Sequence, residues 1–350
     1  ETLSTFSYHL QNTLDILAQI HIRRFLASKG EKEPFFRPFG NFSIKGMTDN
    51  TGVPRSTEWG MIRDGAGREF RVLKIGKLHM TEATLKLFAP EGDFLARMER
   101  VRNMRVNDDD LVLLTFPKSG THWIWEVINM LISGKAEYVP WVPERDFLDI
   151  EGEKIEQIPS PKIIITHHSI KDLPNDVFKK KVKFVHVSRN PKSVSVSFYH
   201  HLKTAGYYGN HFPETFSEFL PLFLDEENHM HHYWFSYIQE VETFCRENPD
   251  YPVFNIKYEE VKMNQHQEIK RLAQFLEIEV SDSLVDEIIS KCEISKLKKV
   301  RGDESAGGKP FMYRKGIVSD WKNWFTVADN EAFDKVYKEK MAGSNLIFEY

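Results

Sequence analysis

Four polar residues stand just past apolar runs, where they could do chemistry together: Lys118, His167, Arg189 and Tyr258. Lys118 lies in Phe116-Pro117-Lys118-Ser119-Gly120-Thr121, between the run Leu111–Thr115 and a stretch with Trp123, Ile124, Val127, Ile128 and Leu131 at helical spacing. A strand, a loop of small residues and a helix in that order can hold an anion. Backbone N–H groups and the helix N-terminus cradle it, and a lysine adds a point charge. A bare tight turn is the competing reading. The usual nucleotide-triphosphate loop has an upstream glycine and then Gly-Lys-Ser/Thr. Here the lysine precedes Ser-Gly-Thr and no upstream glycine exists, which counts against a kinase or ATPase.

The elements that must position these residues recur along the chain. Ile163–Thr166 ends in His167, Val182–Val187 ends in Ser188-Arg189-Asn190-Pro191, and Val253–Ile256 ends near Tyr258. Continuous apolar runs mark strands buried on both faces. Asn190 suits a helix N-cap and Pro191 the first helical position, so a helix is expected from there through Ser197. Ile269, Leu272, Ala273 and Leu276 form one helical stripe. Alternating buried strands and helices predict an α/β fold, a central parallel sheet with helices on both faces and a P-loop-like nucleotide-binding architecture. Ligands in such sheets bind beyond the carboxyl ends of the strands. The four polar residues stand at those ends.

Earlier segments carry less. Tyr8–Leu26 has the spacing of an amphipathic helix, Phe35–Gly60 reads as an irregular linker, and Arg63–Gly67 before Phe70–Ile75 suggests a turn and short hairpin. The expected division is an extension over residues 1–55 and one domain over residues 56–350. The composition is that of a folded chain: 41% hydrophobic and 28% charged residues. A formal net charge of -4 argues against nonspecific nucleic-acid binding. The basic stretch Lys179, Lys180, Lys181 and Lys183 reads as a solvated turn before a strand. No apolar run reaches the ~18 residues that span a bilayer, so no membrane partner is expected. Two cysteines, Cys245 and Cys292, make no disulfide framework, and a cytoplasmic location is expected. His229, His231 and His232 lack a Cys or carboxylate to complete a ligand set. No metal is expected, and that segment reads as solvated or pocket-edge.

Three separated segments carry a resemblance. Thr115–Trp123 is similar to the 5′-phosphosulfate loop of the cytosolic sulfotransferases, Val187–Lys192 through Ser197 resembles their 3′-phosphate segment, and Arg314-Lys315-Gly316 with Asp320-Trp321-Lys322 resembles their C-terminal Arg-Lys-Gly signature. The resemblance covers roughly residues 60–350. It implies sulfuryl transfer from 3′-phosphoadenosine-5′-phosphosulfate (PAPS) to a small hydroxyl- or amine-bearing acceptor, with 3′-phosphoadenosine-5′-phosphate (PAP) as product and no metal.

The roles it implies follow the chemistry. Lys118 would stabilise the transferring group and the charge growing on the leaving phosphate oxygen. Ser119, Gly120, Thr121 and the His122 backbone would hold the 5′-phosphate, and Trp123 would stack on adenine or serve the core. Arg189 and Ser197 would grip the 3′-phosphate, closed over by Arg314, Lys315 and Gly316, with a structural salt bridge as the competing reading. Tyr258 would contact adenine, and Cys292 and Ile294 stand where the family has Thr and Phe.

His167 is the candidate general base, matching the family's Lys-Thr-His-Leu-Pro segment. Adjacent His168 should face away, since neighbouring strand residues point to opposite sides; it remains a weaker acceptor-contact candidate. Ile165, Ser169 and Ser319 replace the family's Lys, Pro and Gly, and an insertion falls near Tyr313. Ile165, Ser319 and the altered adenine pocket at Cys292 and Ile294 motivate a second reading, a PAPS- or PAP-binding protein with weak or lost turnover. A nucleotide kinase is a third, without an obvious Asp for its metal.

The acceptor pocket is expected from the aromatic-rich loops Tyr138–Phe147, Tyr207–Phe212 and Gly302–Tyr313, with Trp141, Phe147, Tyr207, Tyr208 and Phe311 as contacts and an apolar acceptor; loop anchoring is the competing reading. Lys322, Thr326, Val327 and Glu331 match the family's dimerisation motif, which implies a homodimer; a solvated helix start is the alternative.

Overall fold

The computed structural model describes residues 57–76, 78–90, 92–206, 212–302 and 312–348. The extension over 1–55, with its expected helix Tyr8–Leu26, lies outside them.

The central sheet has four strands in the order β5-β4-β6-β8: β4 (Leu111–Thr115), β5 (Ile163–Thr166), β6 (Lys183–Ser188) and β8 (Val253–Lys257). Every pairing is parallel, with Leu113 opposite both Ile165 and Val185 and His186 opposite Asn255. The continuous apolar runs follow from burial on both faces. Val112, Leu114, Ile164 and Phe184 enter one core, while Leu111, Leu113, Ile163, Ile165, Val185 and Val187 enter the other.

The chain leaves β4 to pair β5 on one side, then returns to place β6 on the other. That reversal opens a crevice at the carboxyl end of β4. Helix Thr121–Ser133 leaves from it, and helix Pro191–Ala205 leaves from β6. Asn190 caps the second, its side chain accepting from the backbone N–H groups of Lys192 and Ser193. Pro191 occupies the first turn as expected, though the helix runs well past Ser197.

A second, antiparallel sheet in the order β1-β2-β3-β7 packs beside the crevice: β1 (Thr57–Arg63), β2 (Glu69–Ile75), β3 (Leu78–Met80) and β7 (His231–His232). Only its first hairpin was legible from sequence. Asp64 builds the turn, its Oδ1 accepting from the backbone of Ala66 and Arg68. Thr57–Gly60, read as linker, belongs to β1 because it pairs in register with Val72–Ile75.

Of the two alternatives for the histidine segment, the pocket-edge one holds and the solvated one fails: His231 and His232 pair with β3, His231 lines the crevice, and the buried rings of His229 and His79 stack at 4.2 Å. The lysine stretch is a largely exposed turn before β6 as expected, with Lys180 donating to the Val106 carbonyl and Lys183 pairing with Glu277. Among the described residues no helix is long and apolar enough to cross a membrane, and no group of three or more His, Cys, Asp or Glu side chains could hold a metal ion.

Ser319 shows what its departure from glycine does. It sits at φ 67°, ψ 14°, the left-handed region, ahead of the turn Asp320–Asn323. A side chain there costs about 1–2 kcal/mol, which glycine avoids while adding some unfolded-state entropy. Ser319→Gly should therefore stabilise the fold, raising Tm by roughly 1–2 °C in a calorimetric scan.

Candidate functional site

The crevice at the strand ends is a cavity lined by residues of every sequence motif: Lys118, Gly120, Thr121, His122, Trp123, His167, Arg189, Ser197, Tyr258, Cys292, Arg314, Lys315 and Gly316. Adjacent strands place His167, Lys118, Arg189 and Tyr258 side by side in that order. Ser119 is fully buried in the same loop.

The loop after β4 is built to receive an anion. Helix Thr121–Ser133 starts at Gly120 with no side-chain cap, so its first N–H groups are open to a ligand. Gly120 has φ 107°, and a Cβ there would lie 2.7 Å from the Tyr258 ring, so only glycine fits. The Ser119 hydroxyl is buried without a hydrogen-bond partner among the described residues. The Thr121 hydroxyl is engaged with that of Thr115 at 2.7 Å. A buried open hydroxyl beside an uncapped helix start matches a phosphate group.

Cations surround that loop. Arg189 donates through Nη1 to the Lys118 carbonyl oxygen at 2.8 Å, and its guanidinium lies 4.4 Å over the Tyr258 ring. Lys118 itself has φ 68°. Burial, then the charges of Arg189 and Arg314, pull its ammonium down to about 7. Arg314 and Lys315 are both paired with Asp320, at 2.6 Å and 2.9 Å. Burial would raise Asp320, but hydrogen bonds from Lys315, Arg314 and Asn323 overcome it and hold the carboxyl at about 2. The salt-bridge reading of this pair is therefore realised, at the rim of the same cavity.

His167 is oriented by its backbone surroundings. Its Nδ1 donates to the Thr115 carbonyl oxygen at 2.8 Å, which leaves Nε2 with a free lone pair. Its backbone N–H donates to Asp149 Oδ2 at 2.9 Å. Burial lowers the imidazole below its usual value; Asp149 and the Thr115 carbonyl offset part of that. His168 faces away, its Nε2 3.1 Å from Asp149 Oδ1, and is absent from the cavity wall. This corrects it as an acceptor contact.

Trp123 serves two ends: it lines the cavity, meets Tyr258 edge-on at 5.4 Å, and belongs to the core. Buried Cys292 and its neighbour Ile294 line the same region. Phe147 lines the other end, its ring 5.1 Å from His167. Trp141 does not reach the cavity, because Arg145 covers its ring at 3.9 Å. Tyr207, Tyr208 and Phe311 lie outside the described residues.

Sequence reasoning named no role for several wall residues. Asp149, Phe88, Phe198 and His201 line the cavity, as does Glu144 within the loop Tyr138–Phe147 expected there. The first four come from helices whose packing no local pattern announces. Asp320 carried a signal: a carboxylate shortly after two adjacent basic residues.

Comparison with known proteins places this arrangement. A family model described as "Sulfotransferase domain" matches residues 108–345. The chain is 34% identical over 278 residues to sulfotransferase 1B1 of Mus musculus, covering 73% of this chain and 90% of that one. Its fold is similar to the crystal structure of mouse sulfotransferase SULT7A1 complexed with PAP, with a TM-score of 0.63 and 26% identity over 78% of this chain and 95% of that one. Retinol dehydratase in complex with androsterone and PAP shares the fold at TM-score 0.64 and 18% identity, over 83% of this chain and 92% of that one. The match takes in the three segments that line the cavity, and this chain belongs to the sulfotransferase family, enzymes that move a sulfuryl group from PAPS to an acceptor.

Proposed function

We propose that this sulfotransferase binds PAPS between the Lys118 loop and the Arg314–Gly316 rim and sulfates a small apolar acceptor held near Phe147 and Phe198. One observation carries the reading: the uncapped helix start at Gly120 and Thr121 lines the same cavity as Lys118 and His167, whose Nε2 is free, with the unpartnered Ser119 hydroxyl buried in the loop beside them. The donor supplies an activated sulfuryl group on a phosphate leaving group.

The chain's own residues do the rest. The N–H groups after Gly120 and the Ser119 hydroxyl hold the 5′-phosphate, while Arg189, Ser197 and the Arg314–Gly316 segment hold the 3′-phosphate. Tyr258 and Trp123 flank the adenine, with Cys292 packed behind. His167 Nε2 takes the acceptor's proton as the acceptor oxygen or nitrogen bonds to sulfur. The Lys118 ammonium offsets the charge left on the phosphate oxygen when the bridging bond breaks. Leu87, Phe88, Phe147 and Phe198 make the acceptor end apolar. Donor binding without turnover, the reading that Ile165 and Ser319 motivate, predicts PAP affinity but no product from labelled PAPS.

Two substitutions test this. His167→Gln should lower kcat about 10²–10⁴-fold in a labelled-sulfate transfer assay, and Lys118→Met about 10²–10³-fold; variants within a factor of two of wild type would remove those roles.

The imidazole of His167 is held below the usual histidine value, so its base form persists into mildly acidic solution. The acid limb of kcat/KM should then fall below pH ~6.5. Lys118 titrates at about 7 in the free protein, and an anionic ligand raises it. Below pH 7 the ammonium is already formed. Above pH 7, PAP binding should take up close to one proton and weaken as pH rises, measured by calorimetry in buffers of different ionisation enthalpy. Lys118→Met should abolish the uptake.

We also infer a homodimer through Lys322, Thr326, Val327 and Glu331. All four are exposed, and Val327 presents an apolar side chain at 77% exposure. Thr326 also caps its helix in a capping box with Asp329. Sedimentation should show a dimer that Val327→Glu converts to monomer.

A further inference from the structure

The cavity wall holds a carboxylate that sulfuryl transfer does not use. Glu144 lies in the 3-10 turn Pro143–Asp146, and the Phe147 N–H donates to its carbonyl at 3.3 Å. Side chains three apart in such a turn eclipse one another, so Glu144 stands about 6 Å along from Phe147 on the same face. Both residues line the cavity, and Phe147 contacts His167. Glu144 therefore sits at the acceptor end, one aromatic ring away from the proposed base.

Both carboxylate oxygens of Glu144 are buried, with no hydrogen-bond partner among the described residues other than a weak contact to the residue's own backbone N–H. The Nδ1 of His122 and the hydroxyl of Tyr313 are likewise buried and unpartnered. Those two rings lie 6.1 Å apart, and His122 lies 5.7 Å from Phe147. Burial raises the Glu144 carboxyl; its own backbone N–H and the more distant Arg301 offset only part. Burial, with the neighbouring charges of Lys118, His167 and Arg301, holds His122 at about 3, so its ring is neutral and supplies no counter-charge. Arg301 is already engaged by Glu126 at 2.7 Å. A desolvated carboxylate without a partner is expensive, and a ligand that supplies a charged donor there gains most.

We infer that Glu144 selects acceptors carrying a protonated amine, held beyond the apolar spacer that Phe147 contacts and away from the oxygen that takes the sulfuryl group. This rests on the sulfuryl-transfer reading and adds the acceptor class to it. The amine donates to Glu144, with the Tyr313 hydroxyl and His122 Nδ1 able to take further hydrogen bonds from it. The apolar walls bracket the spacer.

The test uses three phenols of equal length whose tails end in an amine, a methyl group or a carboxylate, with labelled PAPS and the full chain. Wild type should favour the amine over the methyl analogue by about tenfold or more in kcat/KM. Glu144→Gln should collapse that ratio toward one. Glu144→Lys should reverse it, favouring the carboxylate tail, a gain that misfolding cannot produce. An amine-to-methyl ratio near one in wild type, or a ratio that survives Glu144→Gln, overturns the inference. A neutral hydroxyl tail outcompeting the amine also overturns it. If no phenol turns over, the sulfuryl-transfer reading fails on its own. Calorimetry of the amine on the PAP-saturated protein then still decides Glu144, by whether Glu144→Gln weakens binding about tenfold or leaves it unmoved.

Discussion

Lys118, Arg189 and Arg314 converge on one cavity, and bringing like charges together out of water is the constraint that the surrounding structure answers. Each cation is restrained by a different device. Arg189 is stacked on Tyr258 and tied to the Lys118 carbonyl; Arg314 is paired with Asp320. Lys118 has no carboxylate partner among the described residues, and burial with the charges of Arg189 and Arg314 weakens its ammonium. The site is thus poised for anions: a ligand with phosphate groups relieves a repulsion that folding has already imposed.

The same constraint explains the strand order. Parallel strands release their chain at one edge, and the reversal between β5, β4 and β6 opens a crevice there. His167, Lys118, Arg189 and Tyr258 need no special loop to meet, since neighbouring strand ends are already about 5 Å apart. The glycine at 120 is forced by the same crowding, because Tyr258 occupies the space a side chain would need.

Much of this was readable beforehand, for physical reasons. Leu111–Thr115 and Ile163–Thr166 were legible because double burial leaves an unbroken apolar run, and the Asn190-Pro191 start was legible because caps act locally. β3 and β7 were not, since three and two residues carry no period. Trp141 is not among the described cavity-lining residues, since an aromatic residue's type says nothing of which way it turns; Arg145 stacks over its ring. His168 was separable from His167 by strand alternation, yet Asp149, which engages both, lies in a short helix and had no sequence signal. Glu144 escaped notice because exposure is the default for a glutamate.

The Nδ1 of His167 rests on the carbonyl of Thr115, the last residue of the strand that delivers the Lys118 loop. Proton acceptor and cation therefore share a mount in the rigid interior of the sheet. Their relative placement is insulated from the peripheral loops, so the pocket wall can be rebuilt residue by residue for new acceptors while the reacting geometry stays put. Versatility of substrate and constancy of chemistry are, in this architecture, two outcomes of one backbone contact.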